Sequence, residues 1–209
     1  MSEVSAVSSP ERFIEAKVYL SHVTALFRPG STVREHIAMS KEMARAGDLE
    51  DWDDEELKLL IDECHFTLAD QSARFDQVRT TSQILMPLAF ALVALYGTQL
   101  TRLVDFSPLS TRLGLIVLWV TGCASSLLAG LGSAAILSVR ARFGRVLPTL
   151  VSQSERPILR AVAKGYVGQA ATGENTVATR LTLVRDAVFL LTLGGSLQLV
   201  LWVSMSVGT

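Results

Sequence analysis

The sequence predicts an all-α membrane protein: three transmembrane helices with an N-terminal cytosolic helical module. Three observations carry that expectation. First, no Asp, Glu, Lys, Arg or His occurs in 80–101, 113–139 or 187–209. About 20 apolar residues in a helix cross a bilayer core, and each window reaches that length. Second, the apolar residues are unevenly spread: the region before Ser82 is charged and helix-forming, and most of the apolar excess follows it. Third, mean hydropathy is +0.37, high for a soluble domain. The expected organisation is a disordered tail at 1–8, a cytosolic helical module at 9–81 and a membrane domain at 82–209.

The elements follow in order. Ser9-Pro10-Glu11 reads as a helix start, with Ser as N-cap and Pro in the first turn. Phe13, Ala16, Leu20, Val23 and Phe27 make one apolar stripe, and Pro29-Gly30 stops the helix. Thr32 and Glu35 have capping-box spacing for a second helix, which Gly47 ends. A third helix starts at Asp53, with Glu56 three residues on and Trp52 and Leu57 placed as a hydrophobic staple. Leu57, Ile61, Cys64, Leu68, Gln71, Phe75 and Val78 then form a heptad seam, a coiled-coil signature that is expected to pack first on residues 10–47. No breaker precedes Pro87, so this helix is expected to enter the first span, near 82–101.

A short loop at 103–111 leads to the second span, near 113–139, and the third lies near 187–207. The 140–186 connection is expected to hold a helix starting at Ser154-Glu155-Arg156-Pro157 and ending at Gly173, with Asn175 capping the next. That connection is basic, with Arg140, Arg142, Arg145, Arg156, Arg160, Lys164, Arg180 and Arg185; the 102–112 loop has only Arg102 and Arg112. The positive-inside rule then places the N-terminus and the connection in the cytosol and the C-terminus outside. There is no secretory signal, so the first span acts as an uncleaved anchor in a multi-pass cell (inner) membrane protein.

Candidate chemistry is sparse. Gly122, Ser126, Gly130 and Ala134 recur at steps of four in span two, with Gly114 two turns earlier. Such small-residue ridges let helix backbones approach closely, and Gly194-Gly195-Ser196 of span three is the expected partner. Arg156, Arg160 and Lys164 form a basic stripe which, with Arg140, Arg142 and Arg145, could lie on anionic lipid or serve only as the orientation signal. The acidic run Asp48 to Glu56 fails the EF-hand pattern, because Trp52 takes the fifth position and no Gly follows it. Cys64 and His65 lack metal-ligand spacing, and the two cysteines fall in different environments, against a disulfide. Gln83 and Gln198 are the notable amides of the spans, and Gln198 suits an interhelical hydrogen bond or a polar pore lining.

No nucleotide-binding, hydrolase or metalloprotease motif occurs, and no carboxylate lies within a span, where pumps need one. No enzyme, cofactor, metal or nucleic-acid partner is expected. The leading class is an interaction or assembly protein, homo-oligomeric, in contact with the bilayer and with a cytosolic protein. The rival is an oligomeric pore or membrane-disrupting effector gated by its cytosolic helices.

Overall fold

The computed structural model describes residues 9–28, 49, 51–104, 109–138 and 158–207. The described residues are all-helical, with a short N-terminal helix, α1 (Ser9–Phe27), and three long ones: α2 (Asp54–Val104), α3 (Leu109–Ser138) and α4 (Ile158–Val207). Each long helix contains a stretch apolar enough to cross a membrane. The expected second helix, 32–46, lies outside the described residues.

The best-written start in the sequence is realised atom by atom. The Asp53 Oδ1 accepts the backbone N–H of Glu55 at 2.9 Å and of Glu56 at 2.8 Å. Glu56 Oε2 in turn accepts the Asp53 N–H at 3.0 Å, a reciprocal capping box. Three donors that a helix start leaves orphaned are thereby satisfied. Trp52 stays exposed while Leu57 is buried with Leu49 and Ala163.

From Asp54 the helix runs through Arg79 and Pro87 without interruption to Val104. Its burial has a period of seven. Leu57, Cys64, Gln71 and Val78 are buried, with Ile61, Leu68 and Phe75 half-buried between them. The pattern continues beyond the polar part, through Ser82, Ala89, Tyr96 and Leu103. A period of seven keeps one face of a helix against a partner of similar length.

That partner is α4. Gln71 reaches Ala170 and Tyr96 reaches Gly194, offsets of 99 and 98 residues. The seam was expected to pack first on 10–47, of which 29–47 lies outside the described residues; among the described residues Leu57 packs with Ala163 and Gln71 bonds to the Ala170 carbonyl. Nothing in the heptad itself names its partner.

α4 corrects a second expectation. Gly173 does not end a helix and Asn175 does not cap one; both lie inside the single helix Ile158–Val207. A mid-helix Gly costs about 1 kcal/mol relative to Ala. Here the missing side chain makes room: a Cβ on Gly173 would overlap the amide oxygen of Gln71. The Asn175 carbonyl is likewise occupied, accepting the Thr179 hydroxyl at 2.7 Å.

α1 corrects a third. Its apolar stripe does not define the buried face: Ala16, Leu20 and Phe27 are exposed, and Val18, Tyr19, His22 and Val23 are buried. One polar group on that face reaches another helix. Tyr19 donates to the Leu128 carbonyl at 2.6 Å, and His22 Nδ1 lies 2.9 Å from the Val18 carbonyl. The expected 103–111 loop is also shorter, since α2 extends to Val104 and α3 begins at Leu109.

Contacts group the described residues into two compact units. One comprises α1, residues 79–104 of α2, α3 and residues 182–207 of α4. Within it α1 packs on α3, and α3 runs antiparallel to α2, since Trp119 meets Tyr96 while Gly130 meets Ala89. The other comprises residue 49, 51–78 of α2 and 158–181 of α4. Its apolar core is Leu49, Leu57 and Ala163, flanked by Leu60, Ile61 and Leu159. The His65 and Tyr166 rings meet at a centroid distance of 4.6 Å, tilted by 48°.

The Gly173 slot is testable. A Cβ on Gly168 would meet nothing within 4 Å, so Gly168→Ala should raise stability by about 1 kcal/mol in thermal unfolding. Gly173→Ala should lack that gain, and should recover it in a Gln71→Ala background, where nothing occupies the slot.

Candidate functional site

The site with the most converging chemistry lies in the unit built from α1, α3 and the apolar ends of α2 and α4. Its acceptors are backbone carbonyls and its donors are aromatic side chains. In hydrocarbon no water satisfies a buried hydroxyl or indole N–H, so each must find a partner within the protein.

Tyr96 is fully buried and donates to the Gly194 carbonyl at 2.6 Å. Its own carbonyl accepts the Trp119 indole N–H at 2.7 Å, and the two rings meet edge-on at 6.5 Å and 85°. Such an aromatic pair contributes about 0.5–1.5 kcal/mol beyond its buried area. The Tyr96 ring lies against Gly122, where a Cβ would overlap its phenol. Leu103, Leu115, Leu201 and Met205 complete this core.

The same device recurs among the described residues. Tyr19 of α1 lies against Gly132, where any Cβ would overlap its phenol, and donates to the Leu128 carbonyl. Glycine is needed at these places for room and not for an unusual backbone, because both lie within α3.

The small-residue ridge divides as follows. Gly122 faces Tyr96 of α2. Gly130 also faces α2, with its Cβ position 3.3 Å from Ala89 Cβ and from Phe90 Cζ. Ser126 is buried, its hydroxyl donating to the Gly122 carbonyl at 2.9 Å. Gly194 of α4 lies against that Ser126 hydroxyl, with its Cβ position 3.2 Å from the Gly122 carbonyl oxygen. Ala134 is half-buried and Gly114 exposed, with nothing within 4 Å of a Cβ there. The expected pairing of Gly130 with span three is therefore displaced: Gly194 meets Gly122 and Ser126, and Gly130 meets span one.

Of the basic set, Arg140, Arg142, Arg145 and Arg156 lie outside the described residues. Arg160 is half-buried, its Nε without a hydrogen-bond partner, and Lys164 is exposed. Sequence reasoning missed Arg180, which it counted as an orientation signal. This arginine is 2% exposed, in one turn with buried Thr176 and Thr179. The available signal was spacing: Arg180 lies seven residues after Gly173 and seven before Ala187, both buried.

Gln83 is exposed, but Gln198 keeps a buried amide oxygen with no hydrogen-bond partner. Gln99 does the same and was not singled out from sequence. The two stand 99 positions apart, close to the Tyr96–Gly194 offset, so helix register sets them at one level of this unit. Beside α1 is a cavity of about 310 Å³ whose walls include Tyr19, Leu20, Leu128, Phe189 and Asp186.

In the other unit Gln71 is 1% exposed; its Nε2 donates to the Ala170 carbonyl at 2.9 Å and to Glu174 at 3.3 Å. Both cysteines are free. Burial, and then the Glu63 carboxylate, push the Cys64 thiol above its ordinary value, which makes it a poor nucleophile. Asp53 and Glu56 of the acidic run are spent on the capping box. Among the described residues no cluster of three or more His, Cys, Asp or Glu side chains is placed to hold a metal.

Two substitutions separate packing from propensity. Gly122→Val should displace Tyr96 and lower detergent-solubilised stability by about 1–3 kcal/mol or more, whereas Gly114→Val, at an open position, should change it little. Tyr96→Phe keeps the ring and removes only the bond to Gly194, for an expected loss of about 0.5–1.5 kcal/mol in thermal unfolding.

No protein-family model, curated protein or solved structure matches this chain.

Proposed function

We propose that this chain is a non-enzymatic, multi-pass membrane interaction or assembly protein. Its membrane part is α3 with the apolar ends of α2 and α4. Its partner-binding part is the polar unit formed by 51–78 and 158–181, on the cytosolic side, with the C-terminus outside. The observation that carries the reading is the Tyr96–Gly122–Gly194 contact. Its polar groups are committed to holding helices together, with the phenol on a backbone carbonyl and the glycines under side chains.

The burial period of seven along α2 and α4 supports a parallel coiled-coil pairing in each unit. Large apolar side chains on the outward faces of the spans, including Leu100, Val117, Phe189 and Trp202, suit lipid or further copies of the chain. Arg160 and Lys164, with Arg140, Arg142, Arg145 and Arg156 before them, suit the positive cytosolic boundary and contact with anionic lipid.

The pore reading keeps one specific support: the unpartnered amide oxygens of Gln99 and Gln198. A pore would need several copies around a shared path. Against it, Gly122, Ser126 and Gly130 of the small-residue ridge already meet other helices of the same chain.

Two measurements test this. Protein reconstituted into dye-loaded liposomes should leave them tight; size-dependent leakage that Gln99→Leu and Gln198→Leu abolish would establish the pore instead. For topology, single cysteines at Ser8, Ser107 and Thr209 in a Cys-free background are probed with an impermeant thiol reagent on intact cells. The latter two should label and Ser8 should not; labelling at Ser8 alone inverts the orientation.

A further inference from the structure

The part of α2 that precedes its apolar stretch has two apolar features. The first is the buried seam. The second lies on the opposite side and is uncovered: Leu59 is 75% exposed and Phe66 is 72% exposed. They are seven residues apart, and Trp52, seven residues before Leu59, is 37% exposed. At 100° per residue Leu59 and Phe66 fall on nearly one line of the helix. Ala73, also exposed, continues that line for another two turns.

Charge frames the stripe with one sign. Glu55, Glu56, Asp62, Glu63 and Asp70 are all exposed and fall within about 60° of the Leu59–Phe66 line. The cation in the same sector is Arg74 at its far end, already paired with Asp70 at 2.8 Å. Capping accounts for Glu56, but not for Asp62, Glu63 and Asp70, which lie beyond the first turn where the helix dipole acts. An apolar stripe would also suit a membrane surface. Five carboxylates rule against an anionic one, which repels them. A symmetric contact between two copies of this face would set carboxylates against carboxylates.

We propose that the Leu59–Phe66 face of α2, with Trp52 just before the helix start, docks a basic amphipathic helix of a partner protein. Leucine-like side chains of the partner would cover Leu59 and Phe66 at i and i+7 spacing, and its lysines or arginines would meet the flanking carboxylates. Trp52 and Phe66 are the anchors, since exposed aromatics carry a large share of the affinity in such interfaces. The proposal rests on reading this unit as a partner-binding module, but not on how the spans are oriented.

The test uses the full chain in nanodiscs of zwitterionic lipid, with binding to empty nanodiscs subtracted. The probe is a fluorescent Leu/Lys peptide of about three heptads, with leucines at alternating three- and four-residue spacing. Controls are the same residues in scrambled order and a Leu/Glu peptide of the original pattern. Fluorescence anisotropy should show saturable binding of the patterned basic peptide, weakened by added salt. The double variant Leu59→Ser, Phe66→Ser should weaken it roughly tenfold or more. Asp62→Asn with Glu63→Gln, which keeps every apolar contact, should weaken it several-fold and flatten the salt dependence. Unchanged thermal unfolding in both variants shows that the fold is intact, as fully exposed positions lead one to expect. Equal binding of the scrambled or acidic peptide, or indifference to both variants, overturns the proposal. So does self-association of the full chain that Leu59→Ser, Phe66→Ser abolishes, since the face is then covered by a second copy. Liposomes that stay tight alongside a failed peptide test would leave the assembly reading standing without this surface.

Discussion

A hydroxyl buried among hydrocarbon must find an acceptor inside the protein, and the apolar unit is arranged around that demand. Tyr96 is the clearest case. Its phenol sits on the Gly194 carbonyl, its ring over Gly122, and its own carbonyl under the Trp119 indole. One residue of α2 thereby addresses α3 and α4 together. Lipid tails are as apolar as leucine, so apolar burial alone gives helices little reason to associate in a bilayer. Close packing and hydrogen bonds supply that reason. Here they are supplied at glycines, because only a missing Cβ brings a tyrosine hydroxyl within reach of a neighbouring backbone.

Tyr19 applies the same rule to α1. An apolar stripe in water marks the face that turns inward. On α1 the stripe residues Leu20 and Phe27 are exposed, and the face carrying Tyr19 and His22 is buried on the protein side. On α1 the hydroxyl of Tyr19 decides the face instead, because its bond to the Leu128 carbonyl holds that side against α3.

The second unit meets a polar constraint of another kind. Gln71 occupies a buried seam position, and its amide nitrogen has two acceptors on α4. Gly173 is the hole that receives it. A buried polar side chain in a helical seam favours one register over its neighbours, because a slipped register would strand the amide. Around this buried contact the outer surface of α2 stays acidic and partly apolar, with Leu59 and Phe66 exposed.

The all-α class and the three spanning stretches were legible from the sequence because hydrophobicity and helix period are local properties. The same holds for the start of α2, where Asp53 and Glu56 are three residues apart and their bonds close within one turn. Most of the seam was legible too, through its period. What tertiary structure decided was every question of partner. The heptad did not say that α4 receives Leu57 and Gln71. The small-residue ridge did not say that Gly122 and Gly130 face α2 while Gly194 meets Gly122 and Ser126. Gly173 looked like a stop because local propensity favours that reading; a side chain about one hundred positions away makes it a socket. Arg180 looked like a surface cation for the same reason. Composition and period are written along the chain, but a glycine's role depends on what fills the space beside it, and only the folded arrangement of helices defines that space.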